Sequence, residues 1–162
     1  MPMLLWKSML ELSITKKFRT LAGIDWTVPL FRATRVMTGE GAAASYATAG
    51  AQTYTAADVL SGTIVRDCAG AGRTDVLPTA ALLVAAIKAA NGGKAVVGDV
   101  LRLLLVNGTN GAFSVTVNAG AGGTFDANQA AASRVVQQNS SKVISIRITG
   151  ILSGSEAYVV YC

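Results

Sequence analysis

The chain contains no histidine and only two cysteines, and few of its residues are charged or aromatic. Without histidine there is no Ser-His-Asp or Cys-His arrangement and no imidazole-ligated zinc. Cys68 sits in a Gly/Ala-rich turn and Cys162 is the last residue of the sequence. Two cysteines this far apart admit one bridge but no disulfide framework, and without further soft ligands they do not read as a metal site. Free thiols in a reducing cytosol are the expectation. Charged residues make up 14% of the chain, against roughly 25% in an average soluble domain. Aromatics are 6%, while 51% of residues are hydrophobic. A solitary monomer keeps itself soluble with a charged surface, and this chain has little charge to spread over one. Much of its exterior is therefore expected to lie against companions, either sister subunits or a partner lattice.

Long apolar runs are also missing. No stretch reaches the roughly 18 residues a spanning helix needs. The start, Met1 to Leu12, has no cationic leader and is broken by Lys7 and Glu11, which makes it a poor signal peptide. The net charge of +5 does not by itself indicate nucleic acid. The cations are scattered, and no run exceeds Lys16-Lys17. A nucleic-acid module concentrates its cations on one face and interleaves aromatics among them.

The acids are sparse. Asp58, Asp67, Asp75, Asp99, Asp126 and Glu156 follow residue 50, and no spacing among them singles out a catalytic pair. Asp58 and Asp75 stand where turns and caps favour Asp, and Asp67 is placed to pair with a strand arginine. Gly70-Ala-Gly72 and Gly120-Ala-Gly-Gly123 lack the Gly-Lys-Ser/Thr or strand–turn–helix context of a phosphate loop, so they read as turns. The expectation is a protein that is not an enzyme and has no cofactor and no metal.

What the chain does contain changes character near residue 50. Residues 1–50 read as an N-terminal arm or attachment segment. From Met3 to Leu21 the apolar residues have a loose helical spacing, flanked by Lys16, Lys17 and Arg19. Gly39 to Gly50 has the composition of a linker. Such an arm either packs on its own domain or serves as a tether. Aromatic and Arg side chains dominate interface hot spots, which makes Trp6, Phe18, Trp26 and Phe31 the candidate anchors, with Arg32 and Arg35 pairing to acidic rim residues of a partner.

Residues 51–162 read as a β module. Strands are predicted over Gln52–Thr55, Thr63–Asp67, Asp99–Asn107, Phe113–Asn118, Ser133–Gln137, Lys142–Thr149 and Ala157–Tyr161. Ala56–Leu60 reads as turn-like. Thr79 is the N-cap of a helix running to Ala90 and stopped by Asn91-Gly92-Gly93. That helix is apolar almost all round and should be buried. The run Val100–Val106 reads as a strand covered on both faces, and Ile144, Ile146 and Ile148 mark one face of a half-buried strand. Many short strands separated by turns argue for a mainly β sandwich or barrel with one buried helix.

Several of these stretches resemble one family of virion proteins. They are Tyr54-Thr-Ala-Ala-Asp58, Leu60-Ser-Gly-Thr-Ile-Val-Arg-Asp67, Gly72-Arg-Thr-Asp-Val-Leu-Pro-Thr79, Gly98-Asp-Val-Leu-Arg102 with the Leu-Val-Asn-Gly turn, Asn139-Ser-Ser-Lys142 and Ser153-Gly-Ser-Glu-Ala-Tyr158. The segment from Tyr54 to Tyr161, about two-thirds of the chain, resembles the capsid decoration (cement) and head-fibre proteins of tailed bacteriophages. The first 50 residues do not match that pattern. The resemblance implies a jelly-roll-like or barrel module, made in the host cytoplasm and assembled as a homo-oligomer, often a trimer. It would bind the major capsid protein on the virion surface, with no direct contact to nucleic acid or membrane. Rival readings are a tail or fibre adaptor built on the same module, a receptor- or carbohydrate-binding virion module, and an enzyme.

Overall fold

The computed structural model describes the backbone of residues 36–37, and residues 41–109 and 111–162 in full. Ten strands and two α-helices follow in the order β1 (Val36–Met37), β2 (Ala44–Ala47), α1 (Ala56–Ser61), β3 (Thr63–Asp67), β4 (Arg73–Val76), α2 (Ala80–Ala90), β5 (Val100–Asn107), β6 (Val115–Asn118), β7 (Gly123–Phe125), β8 (Val135–Val136), β9 (Ser140–Gly150) and β10 (Ala157–Tyr161). A 3₁₀ turn over Ala131–Arg134 precedes β8. The protein is mainly β, as its patterning predicts.

The main sheet runs β2-β3-β5-β9-β10-β7, with β1 beside the start of β5. Its two ends do not meet, so it is an open sheet and not a barrel. The second sheet is β4-β6-β8. Pairing is mixed. β5, β9 and β10 form an antiparallel meander in space, while β2/β3, β3/β5, β1/β5 and β7/β10 run parallel. Parallel neighbours need crossovers. The first passes from β2 through α1 to β3, and the second passes from β3 through β4 and α2 to β5.

Local chemistry explains the helices. Thr79 Oγ1 accepts from Leu82 N, the cap its sequence predicts, and Asn91 closes the helix. Thr55 and Asp58 build a reciprocal capping box at the head of α1, and Gly62 ends that helix at φ 82°. The segment 56–61 is therefore a helix and not the turn expected.

One core joins both sheets and both helices. Val59 of α1, Ile64 of β3 and Leu83 and Ile87 of α2 meet Leu101, Leu103 and Leu105 of β5, Val115 and Val117 of β6, and Ile144, Ile146 and Ile148 of β9. Burying one such side chain contributes about 1.5–3 kcal/mol before its entropy cost.

Further expectations are corrected. Among the described residues there are two α-helices and not one, and Gln52–Thr55 is not a strand but holds a single bridge, Thr53 to Val76. The helix α2 is buried on one face only: Ala81, Ala85 and Ala89 are exposed, and Leu82 is 57% exposed. β5 alternates as well, with Leu101, Leu103 and Leu105 inward, Arg102 exposed, and Leu104 and Val106 half-buried. Apolar runs without polar punctuation do not reveal which face is left open. The sheet also begins earlier than composition suggests, because β2 lies inside the stretch read as a linker.

Candidate interaction surface

The residues named as anchors, Trp6, Phe18, Trp26, Phe31, Arg32 and Arg35, lie outside the described residues. The described part of the chain offers two other features: a buried ion pair at the root of the N-terminal segment, and the outer face of the main sheet.

Arg66 and Asp75 are both fully buried and joined by a bond of 2.8 Å from Nε to Oδ2. Asp75 accepts further bonds from Tyr54 OH (2.7 Å) and Gln52 N (2.8 Å). The rest of the Arg66 guanidinium turns to backbone carbonyls. Nη1 donates to the oxygens of Tyr46, Thr48 and Asp67, and Nη2 donates to that of Gly50. Arginine has a fixed fork of five donors and no acceptor, so such a carbonyl cage suits it and would not suit lysine. One side chain thus holds the end of β2 and the bend after it, from residue 46 to residue 50, against β3. Sequence reading placed Asp67 against a strand arginine and Asp75 in a turn. The structure gives the ion pair to Asp75, while Asp67 caps the turn at Ala69 N (2.9 Å).

Tyrosine 46 extends this anchor. Its hydroxyl donates to Asp58 Oδ2 at 2.5 Å, and its ring lies 5.6 Å from that of Tyr54. Burial, helped by the Asp58 hydrogen bond and charge, pushes the Tyr46 phenol up to about 12. Burial chiefly raises Tyr54 as well, with Asp75 adding to it. At Asp58 burial acts upward, but the hydrogen bonds from Tyr46 and Thr55 outweigh it and hold the carboxyl below its usual range.

A second polar bolt joins the two sheets. Asn107 is fully buried at the end of β5, and its Nδ2 donates to the carbonyls of Phe113 (3.0 Å) and Val136 (3.1 Å). Its Oδ1 accepts from Thr109 N, and Thr109 Oγ1 accepts from the N–H of buried Cys68. Cys68 and Cys162 are free cysteines.

The outer face of the main sheet follows from the register. Val65 of β3 lies beside Val106 of β5, Leu104 beside Val143 of β9, Arg102 beside Ser145, and Val100 beside Arg147. Ser145 and Arg147 in turn neighbour Tyr161 and Val159 of β10. Val143 is 54% exposed, and Arg102, Ser141, Arg147, Thr149 and Tyr161 are exposed with it. The face thus combines aliphatic residues and small hydroxyls with two arginines and one tyrosine, the last two being residue types enriched at interfaces.

Among the described residues no group of three or more His, Cys, Asp or Glu is placed to hold a metal. No helix among them is long and apolar enough to cross a membrane. Of the aromatics available for a sugar platform, Tyr54 and Tyr158 are buried with bonded hydroxyls, and Phe125 lies under the Arg134 guanidinium at 3.9 Å. Comparison with protein-family models, with curated proteins and with solved structures finds no match for this chain.

Proposed function

We propose that the protein is a structural virion component, a capsid decoration protein that binds the lattice of the major capsid protein and stabilises the head. The module forms homo-oligomers on the capsid surface, and the N-terminal segment attaches it through Trp6, Phe18, Trp26, Phe31, Arg32 and Arg35. One observation carries this reading: a chain with so little charge leaves an aliphatic and hydroxyl-lined sheet face open. A decoration protein stabilises a shell by adding buried area across its joints, so its binding favours the assembled state by mass action. The two sheets over one core are read here as a sandwich-like module, jelly-roll-like in layering although both sheets include parallel pairs.

A tail or fibre adaptor using the same module is the nearest rival, and position and copy number in the particle separate the two. A carbohydrate-binding role fits less well, because the module's aromatics are mostly engaged inside it.

The attachment half of the proposal has a direct test. A chain lacking residues 1–35 keeps every described strand and should fold and oligomerise as the full chain does, by circular dichroism and sedimentation velocity. It should no longer pellet with assembled heads. Undiminished pelleting would discard the arm as the attachment device.

A further inference from the structure

The carboxylates among the described residues mostly serve turns and caps. Each of the six in the described residues accepts a backbone N–H: Asp58 from Thr55, Asp67 from Ala69, Asp75 from Gln52, Asp99 from Val96, Asp126 from Asn128 and Glu156 from Gly154. Most of the described cations are engaged too. Arg66 meets Asp75, Arg73 bonds the Cys68 carbonyl, Lys88 that of Ile151, Lys142 those of Ser133 and Val135, and Arg134 lies over the Phe125 ring.

Arg102, Arg147 and Lys94 differ. All three are exposed, and none has a side-chain hydrogen bond or ion pair among the described residues; Lys94 lies in the loop after α2, whereas the two arginines share the main sheet. They stand on adjacent antiparallel strands with the same outward parity, Arg102 opposite Ser145 and Arg147 opposite Val100. That makes them diagonal neighbours, roughly 7–8 Å apart along the sheet. Two like charges so placed, with no anion paired to either among the described residues, repel mildly. They also sit inside an aliphatic field: Leu104 and Val143 are paired next to Arg102, and Val100 and Val159 flank Arg147.

We infer that this outer face docks a folded protein partner that presents carboxylates to Arg102 and Arg147 and aliphatic side chains to the Leu104–Val143 pair. A second copy of the chain is a poor occupant, because it is itself positive at +5 and has fewer carboxylates than cations to offer. Nucleic acid fits poorly as well, since the face has two cations and the single exposed aromatic Tyr161, not a cationic track with stacking rings. The inference rests on the decoration reading for the identity of the partner, an acidic patch of the shell lattice, but not for its chemistry.

The test uses the full-length chain and immobilised poly-L-glutamate as the carboxylate probe. R102Q/R147Q should lose about five- to ten-fold in affinity, the sum of two exposed ion pairs. R102K/R147K should lose less than R102Q/R147Q, and K88Q/K94Q, which removes the same charge at the end of α2, should change affinity less than two-fold. Thermal melts that match wild type show that the substitutions leave the fold intact. Equal losses for the arginine and lysine pairs would mean binding by net charge alone and would overturn the inference. Tighter binding of a DNA duplex through the same two arginines would overturn it too, in favour of nucleic acid. Purified heads then separate the two claims. Heads that capture wild type and R102Q/R147Q equally sink the docking face and leave the decoration reading standing. Heads that capture neither, with the polyglutamate loss intact, sink the decoration reading and leave the docking chemistry.

Discussion

Arg66 illustrates how one residue can govern a longer stretch of chain. Its side chain is the only described one that bonds the carbonyls of Tyr46, Thr48 and Gly50, and it neutralises the buried Asp75. Arg66→Met leaves that buried carboxylate without its counter-charge, held only by Tyr54 OH and Gln52 N, a loss of about 3–5 kcal/mol by analogy with other broken buried pairs. The same substitution frees the 46–50 backbone, so amide exchange there should accelerate well beyond the change in global stability. Urea denaturation and hydrogen exchange read the two effects separately. Unchanged exchange over 46–50 would show that the β2–β3 ladder, and not the arginine, holds that segment.

Tyr46 carries a prediction in pH. Its phenol stays protonated to about 12 in the folded chain, against 10.0 when unperturbed. Below pH 10 both states hold the proton. Between 10 and 12 only the unfolded chain releases it, so stability is lost across that window. Asp58 works at the other end, because its depressed folded value contributes stability above the ordinary carboxylate range that disappears as pH falls through it. Tyr46→Phe should therefore flatten the dependence of the urea midpoint on pH both above 10 and at acid pH. Tyr54 and Tyr158, also raised by burial, keep part of the alkaline slope. Profiles that superimpose after a constant offset would contradict the assignment.

At the scale of the element, the two faces of β9 should respond differently. Ile146 is fully buried between β5 and β10, and Ile146→Ala should cost about 2–5 kcal/mol. Val143, three residues earlier on the outer face, should tolerate serine within about 0.5 kcal/mol. Equal costs, measured by denaturation, would mean that the outer face is packed as tightly as the core. The two-residue period of this strand was plain in the sequence, as were β3, β10 and the cap and stop of α2. Each of these has a local cause, whether alternation, β-branched content or capping chemistry. β4, β7 and β2 were not legible. β7 starts at Gly123, the end of the stretch Ala119–Gly123 that reads as a Gly/Ala loop; the glycine is needed there because the Tyr158 ring lies only 2.2 Å from where a Cβ would sit. Parallel pairing leaves no local mark at all, since the partners are set by crossovers many residues long. The Thr55–Asp58 box did carry a signal, but six residues with little periodicity read more readily as a turn.

For the molecule as a whole, the sequence showed an excess of apolar and small residues over charge but not where that excess surfaces. The candidate anchors in the arm rest on residue chemistry alone. The outer-face pair Arg102 and Arg147 was invisible until register placed them side by side, because they are far apart in sequence and each looks like an ordinary strand cation. The buried pairing of Arg66 with Asp75 was likewise hidden, since Asp67 is nearer in sequence and equally acidic.

The central claim is that this chain functions with its exterior covered by a shell lattice. The most direct measurement is quantitative mass spectrometry of purified assembled particles, giving the ratio of this chain to the major shell protein. The account predicts a fixed, reproducible ratio of the order expected for a surface lattice position, together with loss of the chain from particles whose shells are dissociated. A chain absent from intact particles, and monomeric in solution at high concentration, would contradict it.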